Sequence, residues 1–237
     1  IGPSPASIRL LGDKIEARRI AEEAGVPVLP GSVEVTSIDE ASALAERIGF
    51  PVMVKAAAGG GGRGIRLVRS RGELADAAAR AMQEAQAAFG NSAIYVEKNL
   101  QGVRHIEVQV IGDRFGNVVP VGERECSIQR RHQKLIEECP SIAVSPQLRR
   151  SLTRAAVRIA RAANYHNVGT VEFLLAEDGS YYFLEMNTRL QVEHPVTEIV
   201  TGTDLVKDQI LVAAGEELPY DEADLLTRGW AIECRIV

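Results

Sequence analysis

The order of apolar and polar positions predicts that helices and strands alternate along the chain. In "SIRLLGDKIEARRIAEEAG" the apolar residues Ile8, Leu11, Ile15 and Ile20 recur close to the spacing of a helix, and Gly25 is a natural stop. Residues 1–28 are therefore expected to form a helical lead-in.

Residues 29–100 contain segments with the apolar spacing of helices and segments with the alternation of strands. A helix is predicted for "SIDEASALAERIG", strands for "PVMVKA", "IRLV" and "AIYVEKNL", and a long helix that runs to Ala88. This mixture predicts a compact α+β unit.

Residues 101–237 predict a larger unit with longer strands. A hairpin is expected across Asp113–Asn117, and a helix is expected with Ser145 as its N-cap and a proline at its first position. Strands "GTVEFLL" and "YYFLEMN" follow, and then a helix from about Glu198 to Ala214, ended by Gly215. For the whole chain, these patterns predict the α+β fold class.

Five glycines within the six positions 59–64 separate two predicted strands. They match G-x-G-x-x-G, but in dinucleotide folds the glycines open a helix, whereas here the strand-like "IRLVRS" follows. A glycine loop between strands predicts a flap whose N–H groups approach phosphate oxygens. Lys55, at the end of the preceding strand, would add a point charge there. A solvated surface loop is the alternative. The glycines assigned to the flap are Gly60, Gly61, Gly62 and Gly64.

Two glutamates are predicted to face each other across a hairpin. If Asp178 and Gly179 form a two-residue turn, Glu172 lies opposite Glu185. Like charges in that relation destabilise a sheet, and a divalent cation such as Mg²⁺ would compensate, with Asn187 offering a further oxygen. Two solvated glutamates on an edge strand, or another register, are the alternatives.

Polar residues continue at alternate positions after this hairpin. In an extended backbone Glu185, Asn187, Arg189, Gln191 and Glu193 would share one side. An arginine near a glutamate suits anion binding beside a general base, although a solvated edge strand has the same pattern.

Composition and charge narrow the class of protein. The chain of 237 residues is 46% hydrophobic and carries a net charge of -5, which argues against broad binding to nucleic acid. No apolar run is long enough to predict a membrane span. Three cysteines without disulfide or metal-site spacing predict reduced thiols in the cytoplasm, or in the mitochondrial matrix of a eukaryote. The start at Ile1 and the strand-like last segment lead us to expect a piece of a longer polypeptide.

A basic stretch, "ECSIQRRHQKLIEECP", could by itself be a charged surface with local ion pairs. In combination with other motifs, it resembles the biotin carboxylase component of biotin-dependent carboxylases. The motifs that carry the resemblance, in the order and approximate spacing of that family, are "GDK", "PVMVKAAAGGGGRGIR", "YVEKNL", "RHIEVQV", "IQRRHQK", "FLEMNTRLQVEHPVTE" and "ECRI". They cover essentially the whole chain.

The resemblance implies an ATP-grasp fold, in which ATP lies between a small lid subdomain and a larger antiparallel sheet. Residues 1–28 would then be a lead-in between domains, 29–100 the lid, and 101–237 most of the central domain. An N-terminal domain and the end of the C-terminal domain would be absent.

The resemblance also implies roles for individual residues. Those implied to bind the nucleotide are Lys14 and Lys55 at the phosphates, Glu97 and Leu100 at the adenine edge, and His105 near it. Gln129, His132 and Lys134 would face the nucleotide and bicarbonate, and Lys134 is also implied to be catalytic. Glu172 and Glu185 would hold Mg²⁺ or Mn²⁺. Those implied in the chemistry are Arg189, Gln191 and Val192 around bicarbonate, Glu193 as general base, and Arg235 as the group that stabilises the biotin enolate.

The implied reaction is the ATP- and bicarbonate-dependent carboxylation of the ureido nitrogen of biotin through carboxyphosphate. The implied partners are a biotinylated carrier, a carboxyltransferase and a second copy of the full-length enzyme. The alternatives are an ATP-grasp ligase of the carbamoyl-phosphate-forming type, a module that binds ATP without turnover, and a dinucleotide oxidoreductase.

Overall fold

The computed structural model describes residues 1–31, 34–56, 65–131 and 133–236. They form two compact units, one of Leu29–Gly102 and one that combines Ile1–Val28 with the chain from Val103 onwards. The glycines assigned to the flap and His132 lie outside the described residues. Among the described residues, none of the helices combines the length and the apolar character that a membrane span requires.

The lead-in consists of two helices, α1 (Pro5–Gly12) and α2 (Lys14–Glu23). Asp13 separates them, because its side chain accepts hydrogen bonds from the N–H groups of Ile15 and Glu16 and so caps the second helix. Leu11 and Ile20 are buried in the core of the larger unit. These helices are therefore part of that unit's packing.

The smaller unit has the predicted sequence of elements. They are α3 (Ile38–Ile48), β1 (Val52–Ala56), β2 (Arg66–Val68), α4 (Arg71–Phe89) and β3 (Ile94–Lys98). The strands form an antiparallel sheet in the order β2-β1-β3. Both helices pack on this sheet, with Leu44 and Leu74 joining Val54 and Val96 in one apolar core.

The larger unit is built on a six-stranded antiparallel sheet in the order β8-β7-β4-β5-β6-β9. Its elements are β4 (Arg104–Gly112), β5 (Val118–Arg130), β6 (Gln133–Cys139), α5 (Pro146–Ala162), β7 (Asn167–Leu175), β8 (Tyr181–Asn187), α6 (His194–Thr201), α7 (Leu205–Ala214) and β9 (Ala231–Cys234). The predicted hairpin closes where the N–H of Asp113 bonds the carbonyl of Asn117, and Ser145 caps α5, so both predictions are confirmed.

The two faces of this sheet differ because side chains alternate along each strand. Ile106, Val108 and Phe173 belong to an apolar core that also contains Leu152 and Ile159 of α5. Glu107, between two of those residues, is also fully buried but belongs to the opposite face. That opposite face carries the candidate site.

The hairpin prediction has the right pairing but the wrong turn. Glu172 lies opposite Glu185 as predicted. The loop has three residues, however, because Ala176 N–H bonds the carbonyl of Ser180, with Gly179 at φ 84°. A register shift between Glu172 and the next residue pair restores the predicted alignment.

Two further predictions are wrong in detail. The extended backbone does not continue to Glu193, because β8 ends at Asn187 and α6 begins at His194. The single helix predicted from about Glu198 to Ala214 is two helices, because Gly202 takes the left-handed conformation at φ 75° and ends α6.

Candidate functional site

Four charged side chains lie in one row across the centre of the larger sheet. Arg124 of β5 pairs with Glu107 of β4, which pairs with Glu172 of β7, which pairs with Glu185 of β8. Three adjacent carboxylates repel one another, so such a row requires positive charge close by. Arg124 supplies one such charge at the end of the row.

Lys134 supplies a second charge near the middle of the row. Its ammonium donates to Glu107, to Glu172 Oε1 at 2.8 Å and to Glu193 Oε1 at 2.6 Å. All three N–H donors of the lysine are thus used while its side chain is only 12% exposed. Burial would lower the pKa of Lys134, but the charges of Glu107 and Glu172 outweigh it and raise that pKa. The lysine stays charged at neutral pH.

Arg124 is completely buried and uses all of its donors. Its Nε donates to Glu107 Oε1. The acceptors for the two terminal nitrogens are Gln109 Oε1 at 2.7 Å, Thr197 Oγ1 at 2.9 Å, and Thr170 Oγ1 and Gln191 Oε1 at 3.3 Å each. Because an arginine has five N–H donors, none of them is left without a partner.

Glu193 precedes α6 and lies between two cations. One carboxylate oxygen accepts from Lys134, and the other accepts from Arg235 at 2.8 Å. Burial alone would raise the pKa of Glu193, but the ammonium of Lys134 outweighs it and the pKa lies below its usual range. Glu193 is therefore ionised at neutral pH.

Arg235 follows β9 and is held against β6 by its own N–H, which bonds the carbonyl of Leu135. Its Nε lies 2.8 Å from Glu137 Oε1, an ion pair whose geometry is not that of an aligned hydrogen bond. Burial raises the pKa of Glu137. Arg235 thus has two buried carboxylate partners, Glu137 and Glu193.

At the other end of the cluster, Glu172 accepts hydrogen bonds from neutral and cationic side chains. Its oxygens lie 3.0 Å from His105 Nε2, 2.9 Å from Asn187 Nδ2 and 3.1 Å from Gln191 Nε2. Burial opposes ionisation of Glu172, but its contacts with His105 and Lys134 outweigh that effect and lower its pKa. Burial would also lower the pKa of His105, yet its contact with Glu172 raises it.

The predicted ligands of Mg²⁺ or Mn²⁺ lie side by side and are of the residue types that a hard cation prefers, because Glu172 and Glu185 are directly opposed and Asn187 contacts Glu172. In this structure Asn187 donates its amide nitrogen to Glu172 and its oxygen accepts from Arg189, so the metal-binding role stays a prediction. Two other groups of possible ligands in the described residues, around Glu107, also surround the ammonium of Lys134. One of these groups shares Glu172 with the predicted metal site, and we assign no second ion around Glu107, because the ammonium of Lys134 already lies there.

Two other predicted residues of the larger unit, Gln129 and Arg189, contact members of this cluster. Gln129 Nε2 is 3.1 Å from His105 Nδ1, and Arg189 donates to Asn187 Oδ1 at 3.3 Å. Val192 is 61% exposed. Lys14 begins α2. Their predicted contacts with ATP or bicarbonate stay predictions.

The predicted residues of the smaller unit form a separate group. The ammonium of Lys55 pairs with the buried carboxylate of Glu97, which also accepts from the hydroxyl of Tyr95 at 2.8 Å. Leu100 follows the end of β3. The structure thus gives the side chain of Glu97 a partner, whereas the sequence assigned a role to its backbone.

Three buried charged residues of this cluster were missed by sequence reasoning, namely Glu107, Arg124 and Glu137. The available signal was "RHIEVQV", where a glutamate and a glutamine stand between apolar strand residues. Polar side chains at the alternate positions of a central strand indicate a buried polar face, because such groups are costly to bury without partners.

Comparisons with known proteins agree with this fold. A family model described as the ATP-binding domain of the carbamoyl-phosphate synthase L chain matches residues 13–221. Biotin carboxylase 1, chloroplastic, of Populus trichocarpa is 56% identical over 237 residues, which are 100% of this chain and 45% of that protein.

Two solved structures are similar over almost the whole chain. The biotin carboxylase–β,γ-ATP complex from Campylobacter jejuni is 50% identical with a TM-score of 0.95, over 99% of this chain and 52% of that chain. The biotin carboxylase domain dimer of Hydrogenobacter thermophilus 2-oxoglutarate carboxylase, in complex with MgADP, ADP and bicarbonate, is 48% identical with a TM-score of 0.95 over the same shares, 99% and 52%. The predicted α+β fold of the ATP-grasp type is confirmed. This chain spans about half the length of the relatives that it matches.

Proposed function

Because the chain belongs to the family of carbamoyl-phosphate synthase L chain ATP-binding domains, we propose that it activates bicarbonate with ATP as part of a biotin carboxylase. The observation that carries this proposal is the position of Glu193 between Lys134 and Arg235. The similarity to biotin carboxylases over the whole chain supports it.

Bicarbonate needs a cation to bind and a base to take its proton. Lys134 and Arg235 both reach Glu193, so an anion that arrives there meets two positive charges beside an ionised carboxylate. Glu193 is unprotonated at neutral pH, and an anion that takes over the contact with Lys134 would remove the main cause of its lowered pKa, so that the carboxylate becomes a stronger base for the proton of bicarbonate. The resulting carbonate oxygen would be the nucleophile towards the γ-phosphate of ATP.

Arg235 has the geometry to act after that proton transfer. Once Glu193 carries the proton, its ion pair with Arg235 weakens, while Glu137 keeps the Nε side of the guanidinium in place. The other edge of the guanidinium can then bind a new anion, and we assign to it the negative oxygen of biotin enolate. Retention of Arg235 by Glu137 thus explains how one arginine serves two steps.

Glu172, Glu185 and Asn187 would hold Mg²⁺, which supplies charge neutralisation at the phosphates when bound. Lys14 and Lys55 are proposed to contact phosphates of ATP, as the sequence predicts. For the whole protein we propose a biotinylated carrier, a carboxyltransferase and a second copy as partners, and acyl-CoA or pyruvate as final acceptor. Its compartment stays a prediction.

The test is phosphate release from Mg²⁺-ATP by this chain in buffer stripped of CO₂, with bicarbonate and free biotin added in turn. Release that depends on bicarbonate and rises with biotin is the expected result. If phosphate release depends on bicarbonate but is unaffected by biotin, and carbamoyl phosphate forms when ammonia is added, the result would favour an ATP-grasp ligase of the carbamoyl-phosphate-forming type instead. ATP binding without any bicarbonate-dependent release would contradict the proposal for this chain.

A further inference from the structure

Arg124 connects several elements that are distant in sequence. Its five acceptors come from β4 (Glu107 and Gln109), β7 (Thr170), α6 (Thr197) and the segment between β8 and α6 (Gln191). Its side chain has no exposed surface, so no part of it is available to a substrate. Its role must therefore act through the groups that it holds.

Three of those acceptors lead directly to the reactive cluster. Glu107 accepts from Arg124 with one oxygen and from Lys134 with the other. Gln191 accepts from Arg124 with its oxygen and donates to Glu172 with its nitrogen.

The third acceptor, Thr197, lies one turn after Glu193, and its contact fixes the start of α6 against β5. Each of these contacts thus sets the place of a group that bonds Lys134, Glu172 or the proposed substrates.

We propose that Arg124 is a positioning residue, whose buried guanidinium holds Glu107, Gln191 and the start of α6 so that Lys134 and Glu193 meet at the bicarbonate site. The catalytic part of this role rests on the proposed function, whereas the positioning part does not. Only an arginine fits, because its planar fork presents five donors in fixed directions, while a lysine has three donors on one atom.

The decisive substitution is Arg124→Lys, which keeps the charge and removes the fork. Arg149→Lys is the matched control, because Arg149 of α5 pairs with Glu123, the neighbour of Arg124 on β5, at 2.8 Å. Side chains of consecutive strand residues point to opposite faces, so the control breaks an Arg–Glu pair on the face without the site. Both variants keep the net charge and replace the arginine of an Arg–Glu pair whose carboxylate is buried.

Two readouts are measured on each variant. The first is the hydrogen exchange of the α6 amides, and the second is kcat/KM for bicarbonate in ATP cleavage, with ATP affinity measured separately. Arg124→Lys is expected to speed exchange in α6 about tenfold. It should lower kcat/KM for bicarbonate about 100-fold, since a displacement of about 1 Å can cost that much. Arg149→Lys should leave both values near those of the unmodified chain.

If Arg124→Lys does not fold, Thr197→Val is the substitute variant. It removes one hydrogen-bond acceptor of the Arg124 guanidinium and keeps the shape of the side chain, so the hydrogen-exchange rate of the α6 amides should rise by a smaller factor, about fivefold. Equal exchange in α6 for the Arg124 or Thr197 variant and the control would overturn the proposal. The proposal would also be overturned if kcat/KM for bicarbonate fell in proportion to the loss of folding stability in both the Arg124→Lys and the Arg149→Lys variants. If the unmodified chain shows no bicarbonate-dependent turnover, the proposed function fails, while the exchange comparison still decides the positioning role.

Discussion

The two faces of the six-stranded sheet use the same strands and are held together differently. On one face Ile106, Val108 and Phe173 pack against α5, and their contacts are apolar and without direction. On the other, Glu107 and Arg124 each depend on partners at fixed distances. An apolar face tolerates exchange of one hydrophobic side chain for another, whereas a buried polar network depends on every member. The reactive groups all lie on the second kind of face.

The largest expected effect is on turnover, at the polar face. Glu193→Gln removes the proposed base and should lower bicarbonate-dependent phosphate release by about 10²–10⁴-fold, the usual contribution of a general base. ATP affinity should stay nearly unchanged, because Lys134 keeps Glu107 and Glu172 as partners. Initial rates and a separate nucleotide titration measure the two quantities.

The control for that substitution is Glu123→Gln. Glu123 and Glu193 are equally buried, at 2% exposure each, and each pairs with an arginine. A similar loss of turnover in both variants would mean that a buried Glu–Arg pair, rather than the base, is what the reaction needs.

The second effect is on stability, at the apolar face. Phe173 is fully buried and meets the ring of Tyr181 edge to face, with centroids 5.7 Å apart. Phe173→Ala should lower the free energy of unfolding by about 3–5 kcal/mol, and Phe173→Leu by less than about 1.5 kcal/mol. Urea unfolding measures both. If the folded Phe173→Leu variant lost bicarbonate-dependent turnover, the claim that the apolar face determines stability and the polar face determines turnover would be contradicted.

A smaller effect concerns the pH dependence of stability. The pKa of Glu193 is lower in the folded chain than in the unfolded one, because Lys134 outweighs the effect of burial. The stabilisation from Glu193 is therefore complete above its unfolded pKa of about 4.3 and is lost as pH falls through the lowered value. The difference in unfolding free energy between wild type and Glu193→Gln should be larger at about pH 7 than below about pH 4. An unchanged or larger difference at low pH would contradict the assignment.

The smallest effect is on thiol reactivity. Burial raises the pKa of Cys139 to about 12 and raises that of Cys126 well above its usual value, whereas Cys234 is exposed. Because the thiolate is the reactive form, a thiol reagent should label Cys234 alone in the folded chain. Mass spectrometry of the labelled peptides identifies the site, and comparable labelling of Cys126 would mean that the polar face opens readily.

The sequence predicted most elements of the fold because local signals mark them. The alternation in "GTVEFLL" and "YYFLEMN" and the Ser-Pro start of α5 need no knowledge of distant residues. The pairing of Glu172 with Glu185 was also correct, although a three-residue loop and a register shift produce it instead of the two-residue turn. Nearby segments were therefore predictable even where the reasoning about the turn was wrong.

The candidate site was only partly predictable because its centre is non-local. Glu107 meets Glu172 and Arg124 only through the strand order β7-β4-β5, which no short segment encodes. The family resemblance supplied Lys134, Glu193 and Arg235, but it did not show that all three form one chain of ion pairs. A buried arginine with five partners leaves no periodic signal in the sequence.

The central claim is that bicarbonate is activated on the polar face, beside Lys134 and Glu193. The most direct measurement is a crystal structure of this chain soaked with bicarbonate and a non-hydrolysable ATP analogue. The account predicts a bound anion within hydrogen-bond distance, about 3 Å, of Lys134 Nζ or the Arg235 guanidinium and of Glu193. An anion bound only elsewhere, with the contacts of Glu193 to Lys134 and Arg235 unchanged, would contradict it.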